Sequence, residues 1–380
     1  MDQDVPSRAQ GSAYRLYPGL RLLAALRLAF DPRKLVLAAL GLILLHLGWW
    51  GLDLALPASP AVTPAVLDLA QPAASTQGTL WPREGVSALT SRLAQPVRLL
   101  TTPLGALLDP ASGWGTMGHA LLALIWLMIV WGICGGALAR LAVVQLAATP
   151  PCGLVASLRF ALRSAGPLIG APLCPLLALG VCALTGVAFG LLYWLPAVGP
   201  ALAGAGLILP LLAGLVMALL VAGLVAGWPL LHAAMAAGAE DALDALSRTF
   251  SYLNQRLGLF LAGLVLAWLA GIAGFLVVEL LAEGVIALTQ WSVSLSAPGA
   301  LTAELFVEGD SPTHPIAAAT HRFWLSAVRL LAAGWTFSFF WTAAAGLYLW
   351  LRHEVDGTPW TDVDLPGVSP AAGSDRAGPS

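Results

Sequence analysis

Long apolar segments alternate with shorter polar or patterned segments along the chain. Each apolar segment holds roughly 20 residues or more and is almost free of charge, which is the length that crosses the hydrocarbon core of a bilayer as a helix. The segments cover 35–56, about 117–140, about 168–194, about 202–230, about 258–286 and about 324–351. The pattern predicts an all-α integral membrane protein with six transmembrane helices.

A different pattern precedes the fifth apolar segment. In 239–256, Leu243, Leu246, Phe250 and Leu253 recur at steps of three and four, which places them on one face of an α-helix. Charged and hydroxyl side chains occupy the other face. An amphipathic helix of this kind lies along a membrane surface with its apolar face down.

Two further stretches follow the same plan, 25–40 before the first span and 157–173 before the third. Each has an apolar helix carrying an arginine, then a break, then a span. The chain is therefore interpreted as three hairpins, each preceded by an interfacial amphipathic helix. The alternative for 239–256 is an ordinary cytoplasmic connecting helix, which explains its residues nearly as well.

The composition agrees with a membrane location. Hydrophobic residues make up 58% of the 380 residues and charged residues 10%, whereas soluble domains carry about 25% charged residues. The net charge of −2 argues against a nucleic-acid partner. The four cysteines lack the spacing of metal ligands and are interpreted as unpaired small hydrophobic residues.

The distribution of Lys and Arg predicts the orientation, because positive charges accumulate in cytoplasmic segments. With the N-terminus inside, thirteen of the 18 basic residues fall in inner segments, four in outer segments, and Arg329 within the sixth span. This places both termini in the cytoplasm, and the expected location is the bacterial inner (cytoplasmic) membrane. The expected parts are a cytoplasmic segment with an interfacial helix (1–34), a membrane domain (35–351), outer loops (57–116 and 289–322) and a disordered cytoplasmic tail (352–380).

The first span could instead be a cleaved signal peptide, since small residues follow it in "ALPASPA". Its long apolar core, its His46 and Asp53, and the roughly thirty residues before it favour an uncleaved anchor.

The segment "EDALDALSRTFSYLNQRLGLFLAG" resembles the cytoplasmic helix that precedes spans in uncharacterised bacterial polytopic membrane proteins. The membrane domain attached to some glycerophosphodiester phosphodiesterases looks similar. The segments "GALARLAVVQLA" and "LWLRHEVDGT" also resemble the inner ends of spans in such proteins. The resemblance covers about 100–350 and implies a multi-span helical fold. It brings no catalytic motif, and the phosphodiesterase catalytic domain has no counterpart in this chain.

Ionisable residues within spans are costly, so each is a candidate functional residue. Glu279 and Glu283 share one face of the fifth span, and Arg329 lies at a matching depth in the sixth. We expect an intramembrane charge cluster of these three residues. It could be a salt bridge that fixes the register of the hairpin, an ion or proton site, or charges that extend to the interface.

Further polar residues lie in or near the spans. His46 and Asp53 belong to the first span, and His46 is interpreted as a hydrogen-bonded packing residue rather than a proton relay. His232, at the inner end of the fourth span, is expected to cap the helix or face the lipid headgroups. His314 and His321 do not match a zinc pattern. The sequence therefore predicts no metal, no cofactor and no catalytic residue.

Two functions remain open, and the lack of nucleotide-binding, hydrolase, zinc-protease or redox motifs favours the first. It is a non-catalytic inner-membrane protein, a scaffold or subunit of an envelope complex, whose partners are membrane lipids and a protein docked at outer loop 57–116. The second is a transporter or lipid-handling permease with a Glu/Arg site between spans five and six. Prolines within spans three and four support it, because interrupted helices can mark a transport site.

Overall fold

The computed structural model describes residues 19–56, 62–63, 86–148, 152–196, 198–298 and 314–363. The two predicted outer loops and the predicted tail lie partly outside the described residues. Within the described residues all regular structure is helical. The helices are α1 (Leu20–Leu28), α2 (Pro32–Ala55), α3 (Val86–Leu93), α4 (Gln95–Leu108), α5 (Trp114–Leu146), α6 (Leu154–Arg163), α7 (Ala165–Leu192), α8 (Gly199–Ala205), α9 (Ile208–Ala237), α10 (Ala242–Gln255), α11 (Leu257–Ser294) and α12 (Pro315–Asp356).

Six of these helices are long and apolar enough to cross a membrane, namely α2, α5, α7, α9, α11 and α12. The prediction of an all-α fold with six spans is confirmed. The helices are longer than the apolar segments alone indicate, and α12 has 42 residues. A helix of that length measures about 63 Å, about twice the thickness of the hydrocarbon core. The helix continues because polar residues at both ends of a span still form backbone hydrogen bonds.

Local sequence signals set the helix ends at the joints. The Asp31 carboxylate accepts the Arg33 N–H at 2.9 Å, and Pro32 follows as the first residue of α2. Asp241 caps α10 in the same way, accepting the Asp244 N–H at 2.8 Å. Gly357 ends α12 with a positive φ of 68°, a conformation that glycine adopts without steric cost.

The helices are arranged as three similar units. The six long helices form three hairpins: α2 with α5, α7 with α9, and α11 with α12. The second helices of these hairpins, α5, α9 and α12, contact one another, and we call them the core helices. The first members, α2, α7 and α11, pack on the outside of their own core helix. The short helix before each hairpin packs on the core helix of another hairpin: α6 on α5, α10 on α9, and α1 on α12. This is the arrangement that three repeated units would give.

The core helices pack most tightly near the short helices, at the end that we call the arginine-rich end. Each contributes one buried tryptophan to a common cluster. The ring centroids of Trp131 and Trp341 are 6.0 Å apart, and those of Trp228 and Trp341 are 5.5 Å apart. Gly135 makes this approach possible, because a Cβ atom there would lie 2.5 Å from the Trp341 ring.

The opposite end is built differently. Helices α7 and α9 pack against each other there, but their other faces are open, with Leu184 64% and Leu215 58% exposed. Helices α3 and α4, from the predicted outer loop, fold back into the bundle. Helix α4 contacts all three core helices, and Leu99, Leu100 and Leu104 are buried in the main core. A segment of the predicted outer loop therefore completes the core at this end.

The first residues of the predicted tail pack on the arginine-rich end. Helix α12 continues to Asp356, and Trp360 is buried beneath the Arg21 guanidinium, which lies 5.3 Å from the indole centroid. An Arg352 guanidinium nitrogen donates to the Pro359 carbonyl oxygen at 3.3 Å. Residues 352–363 thus differ from the predicted disordered tail, because a buried tryptophan and a buried arginine hold them on the bundle. Residues 364–380 lie outside the described residues.

Candidate functional site

The predicted charge cluster lies on α11 toward the end opposite the short helices. Glu279 and Glu283 are one helical turn apart and point to the same side of α11. Both side chains are largely buried, at 14% and 17% exposure. The structure therefore brings the two acids together as predicted, but it gives them different partners.

Glu279 binds an arginine that the sequence did not place in the cluster. An Arg92 guanidinium nitrogen lies 2.7 Å from a Glu279 carboxylate oxygen, and it donates a hydrogen bond there. Arg92 comes from α3, which reaches α11 because Leu93 is buried among Phe275 and other residues of that helix. The pair ties the folded-back outer segment to the fifth span.

Glu283 faces the predicted partner, Arg329 of α12. The distance between the Arg329 Nε and a Glu283 carboxylate oxygen is 3.5 Å. That separation is an ion pair, but the Nε–H is not directed at the oxygen well enough to form a hydrogen bond. We therefore regard it as the weaker of the two contacts. The predicted three-residue cluster is instead two pairs side by side, each with one acid and one arginine.

The arrangement is chemically balanced. A guanidinium remains charged under all physiological conditions, so each acid of α11 lies beside a permanent positive charge. Each acid thus has a resident counter-ion supplied by another helix. Such an arrangement holds helices in register, and it leaves neither carboxylate facing an uncompensated site for a cation.

Asp53 and His46 lie apart from this cluster on α2. The Asp53 carboxylate is 3.1 Å from the His119 Nε2, and the His119 Nδ1 is 3.1 Å from the Leu56 carbonyl oxygen. His119 is buried at the start of α5, and it was not singled out from the sequence because nothing in its local pattern shows that the end of α2 covers it. His46 is half-buried midway along α2. Its predicted role as a hydrogen-bonded packing residue stays a prediction.

The expectation for His232 is wrong. Helix α9 continues to Ala237, so His232 lies within the helix and is 1% exposed, rather than capping it or facing headgroups. Its Nδ1 is 3.0 Å from the Trp228 carbonyl oxygen, and its ring centroid is 4.8 Å from that of Trp341. Because the carbonyl oxygen only accepts, the Nδ1 carries the proton. His232 is a packing residue of the tryptophan cluster.

Two more of the basic residues that were counted from the sequence only toward inner segments are buried between helices. Lys34 is fully buried, and its side-chain amino group donates to the Thr342 hydroxyl at 3.0 Å, which joins α2 to α12. Arg140 is 3% exposed and donates to the Ala236 carbonyl oxygen, which joins α5 to α9. Both reach across an interface between helices, and neither contact is visible in the sequence without the fold.

Helix α10 is bound to its surroundings by polar contacts. The Tyr252 hydroxyl donates to the Asp356 carboxylate of α12. Burial raises the pKa of Tyr252, and the hydrogen bond to Asp356 raises it further. On the outer face, the Arg248 Nε donates to the Asp244 carboxylate at 2.7 Å. This segment, which has the clearest amphipathic pattern in the sequence, is thus a helix whose charges are paired within the chain.

No group of three His, Cys, Asp or Glu side chains in the described part of the chain is arranged to hold a metal ion. The four cysteines are unpaired, and Cys134 is buried between helices. The best-defined polar arrangement is therefore the pair of Glu–Arg contacts on α11.

Comparison of the chain with protein-family models, curated proteins and solved structures gives no match. The resemblance to uncharacterised bacterial polytopic proteins therefore stays a prediction.

Proposed function

We propose that the chain is a non-catalytic protein of the bacterial inner membrane, a scaffold or subunit of an envelope complex. The proposal rests on the contact between Arg92 and Glu279. It fixes the outer segment to the membrane bundle through a partly buried ion pair, and such pairs are costly to break. Helices α3 and α4, held in this way, present a defined surface to a protein partner.

The proposed orientation places the arginine-rich end in the cytoplasm, with both termini there. Helices α1, α6 and α10 then lie at the cytoplasmic interface, and α3 and α4 lie on the outer side. The distribution of Lys and Arg supports this orientation. Loop 57–116 then belongs to that side, and it is the proposed docking site.

In the test, the tagged protein is extracted from its native membrane into lipid nanodiscs. The proteins and lipids that co-purify with the wild-type chain are then compared with those that co-purify with its variants. We expect mass spectrometry to find a stoichiometric protein partner with the wild-type chain. Substitution Arg92→Glu should release that partner because it repels Glu279 and displaces α3. The exchanged pair, Arg92→Glu with Glu279→Arg, should restore it.

Substitution Arg329→Gln is the matched control, because it removes an arginine from the neighbouring pair and leaves the tie to α3 intact. The partner should remain bound. If the wild-type chain retains only a lipid or small solute, the permease becomes the better explanation. Cysteine-accessibility labelling around Glu279, Glu283 and Arg329 would then show whether this region faces water.

A further inference from the structure

Helix α6 has an exposed face that differs from those of the other short helices. Ser157 and Ala161 are buried against the bundle. On the other side, Val155 is 70% and Leu162 56% exposed, and the guanidinium groups of Arg159 and Arg163 are also exposed. This face therefore combines apolar side chains with two positive charges one helical turn apart.

The helices on which α6 packs contribute no acidic group to balance this face. The chain has no Asp or Glu between Asp109 and Glu240, so α5 and α7, on which α6 packs, contain none. Two further charged side chains contact the segment, and both are arginines. Arg33 donates to the Cys152 carbonyl oxygen at 3.4 Å, and Arg140 lies 4.9 Å from the Phe160 ring centroid.

Within the described part of the chain, neither Arg159 nor Arg163 forms a hydrogen bond or an ion pair. The equivalent helix of the third unit behaves differently, because Arg248 of α10 is bound to Asp244 at 2.7 Å. Residues four apart on a helix have Cβ atoms about 5–6 Å apart, and two like charges at that spacing repel each other. An anion from outside the chain would remove this repulsion on α6, as Asp244 neutralises Arg248 on α10.

We propose that the exposed face of α6 binds the anionic headgroup of a membrane phospholipid, with Arg159 and Arg163 as its contacts. A guanidinium presents paired N–H donors that match the oxygens of a phosphate group. Val155 and Leu162 flank the arginines and contact the acyl chains. Basic amphipathic helices at the cytoplasmic surface attract anionic lipids in the same way. The leaflet assignment rests on the orientation proposed above, but the lipid contact does not.

The test uses the purified full-length protein in detergent, titrated with phosphatidylglycerol and followed by native mass spectrometry. We expect Arg159→Gln with Arg163→Gln to lower the affinity for phosphatidylglycerol by about tenfold or more, since each arginine contributes to binding. Binding of phosphatidylcholine should not change. The conservative variant, Arg159→Lys with Arg163→Lys, should retain most of the affinity because it keeps both charges.

The matched control is Arg98→Gln with Arg322→Gln, which removes two exposed arginines from the opposite end and changes the net charge equally. It should bind phosphatidylglycerol as the wild-type chain does. An equal loss in both double variants, or no loss in the α6 variant, would overturn the proposal. Displacement of the lipid by millimolar inorganic phosphate would overturn it too, because the ligand would then be a free anion. The assay needs no protein partner, so its failure is distinct from failure of the proposed function.

Discussion

The two ends of the bundle bury their helices to very different degrees. At the arginine-rich end, the core helices meet in a cluster of buried tryptophans, and the short helices cover the outside. At the opposite end, the hairpin of α7 and α9 stands largely alone, and α4 fills the space between the core helices. Equally apolar segments are thus buried to different degrees at the two ends, and hydropathy does not distinguish the buried segments from the exposed ones. The difference lies in which apolar side chains are buried against other helices and which are exposed.

The largest expected effect comes from a comparison of two glycines that both lie within long apolar helices but differ in packing. Substitution Gly135→Leu places side-chain atoms where the Trp341 ring lies, 2.5 Å from the Cβ position. We expect it to lower the free energy of unfolding by about 3 kcal/mol, because a packed core relaxes poorly. Thermal unfolding in lipid nanodiscs would measure it.

The control for that prediction is Gly186→Leu in the α7–α9 hairpin, where no atom lies within 4 Å of the Cβ position. Its effect should stay below about 0.5 kcal/mol, as is usual for surface substitutions. Similar effects of the two substitutions would mean that the two ends are packed alike.

The next effect concerns the ion pairs on α11. Substitution Arg92→Ala leaves Glu279 without its partner at 14% exposure. We expect a loss of about 2 kcal/mol, less than for a fully buried pair because water screens part of the interaction. A double-mutant cycle should give a larger coupling for Arg92–Glu279 than for Glu283–Arg329, whose atoms are 3.5 Å apart. The reverse order would contradict our ranking of the two pairs.

A smaller effect is expected at the contact between α10 and α12. Substitution Tyr252→Phe removes the hydrogen bond to Asp356 while keeping the ring, and it should cost about 1 kcal/mol. Tyr193→Phe, at the exposed turn of the α7–α9 hairpin, should cost nothing measurable. Chemical unfolding of both variants in the same detergent would compare them directly.

The smallest effect is a pH dependence at the surface of the arginine-rich end. Partial desolvation raises the pKa of Asp244, but hydrogen bonds from Arg248 and the Glu240 N–H outweigh it and lower the pKa below its ordinary value of 3.8. A carboxyl with a lowered pKa stabilises the fold above its ordinary pKa, and that contribution is lost as the pH falls through the lowered value.

Because both side chains of the Asp244–Arg248 pair are partly exposed and water screens their interaction, the contribution should be below about 0.5 kcal/mol. The free energy of unfolding should be measured between pH 7 and pH 2 for the wild-type chain and for Asp244→Asn. The wild-type chain should be the more stable of the two at pH 7, and this difference should disappear toward pH 2. A constant difference between the two proteins across that range would contradict the assignment.

The sequence predicted the parts of the structure that depend on local pattern. Six spans follow from apolar length, and α10 follows from the spacing of Leu243, Leu246, Phe250 and Leu253. The contact between Glu283 and Arg329 follows from matching depth on neighbouring spans. These predictions need only helix geometry and the thickness of a bilayer.

Contacts between distant segments were not predictable in this way. Arg92 reaches Glu279 only because α3 folds back against α11, although the two residues are 187 positions apart. Lys34 is buried because α12 covers the start of α2, and His232 because α9 extends past the apolar segment. No residue in these local sequences indicates its partner, since the partner is chosen by the packing of the whole bundle.

The fold-back of α4 has a consequence for biogenesis. Helix α4 ends at Leu108, but two of its packing partners begin at Ile208 and Pro315. At about 5–20 residues per second, translation of the remaining core takes on the order of ten to fifty seconds after α4 leaves the ribosome. Helix α5 follows α4 directly and supplies most of the packing around Leu99, Leu100 and Leu104, but the part supplied by α9 and α12 is absent throughout that interval. The last part of the α4 packing therefore forms only after the final span has been synthesised.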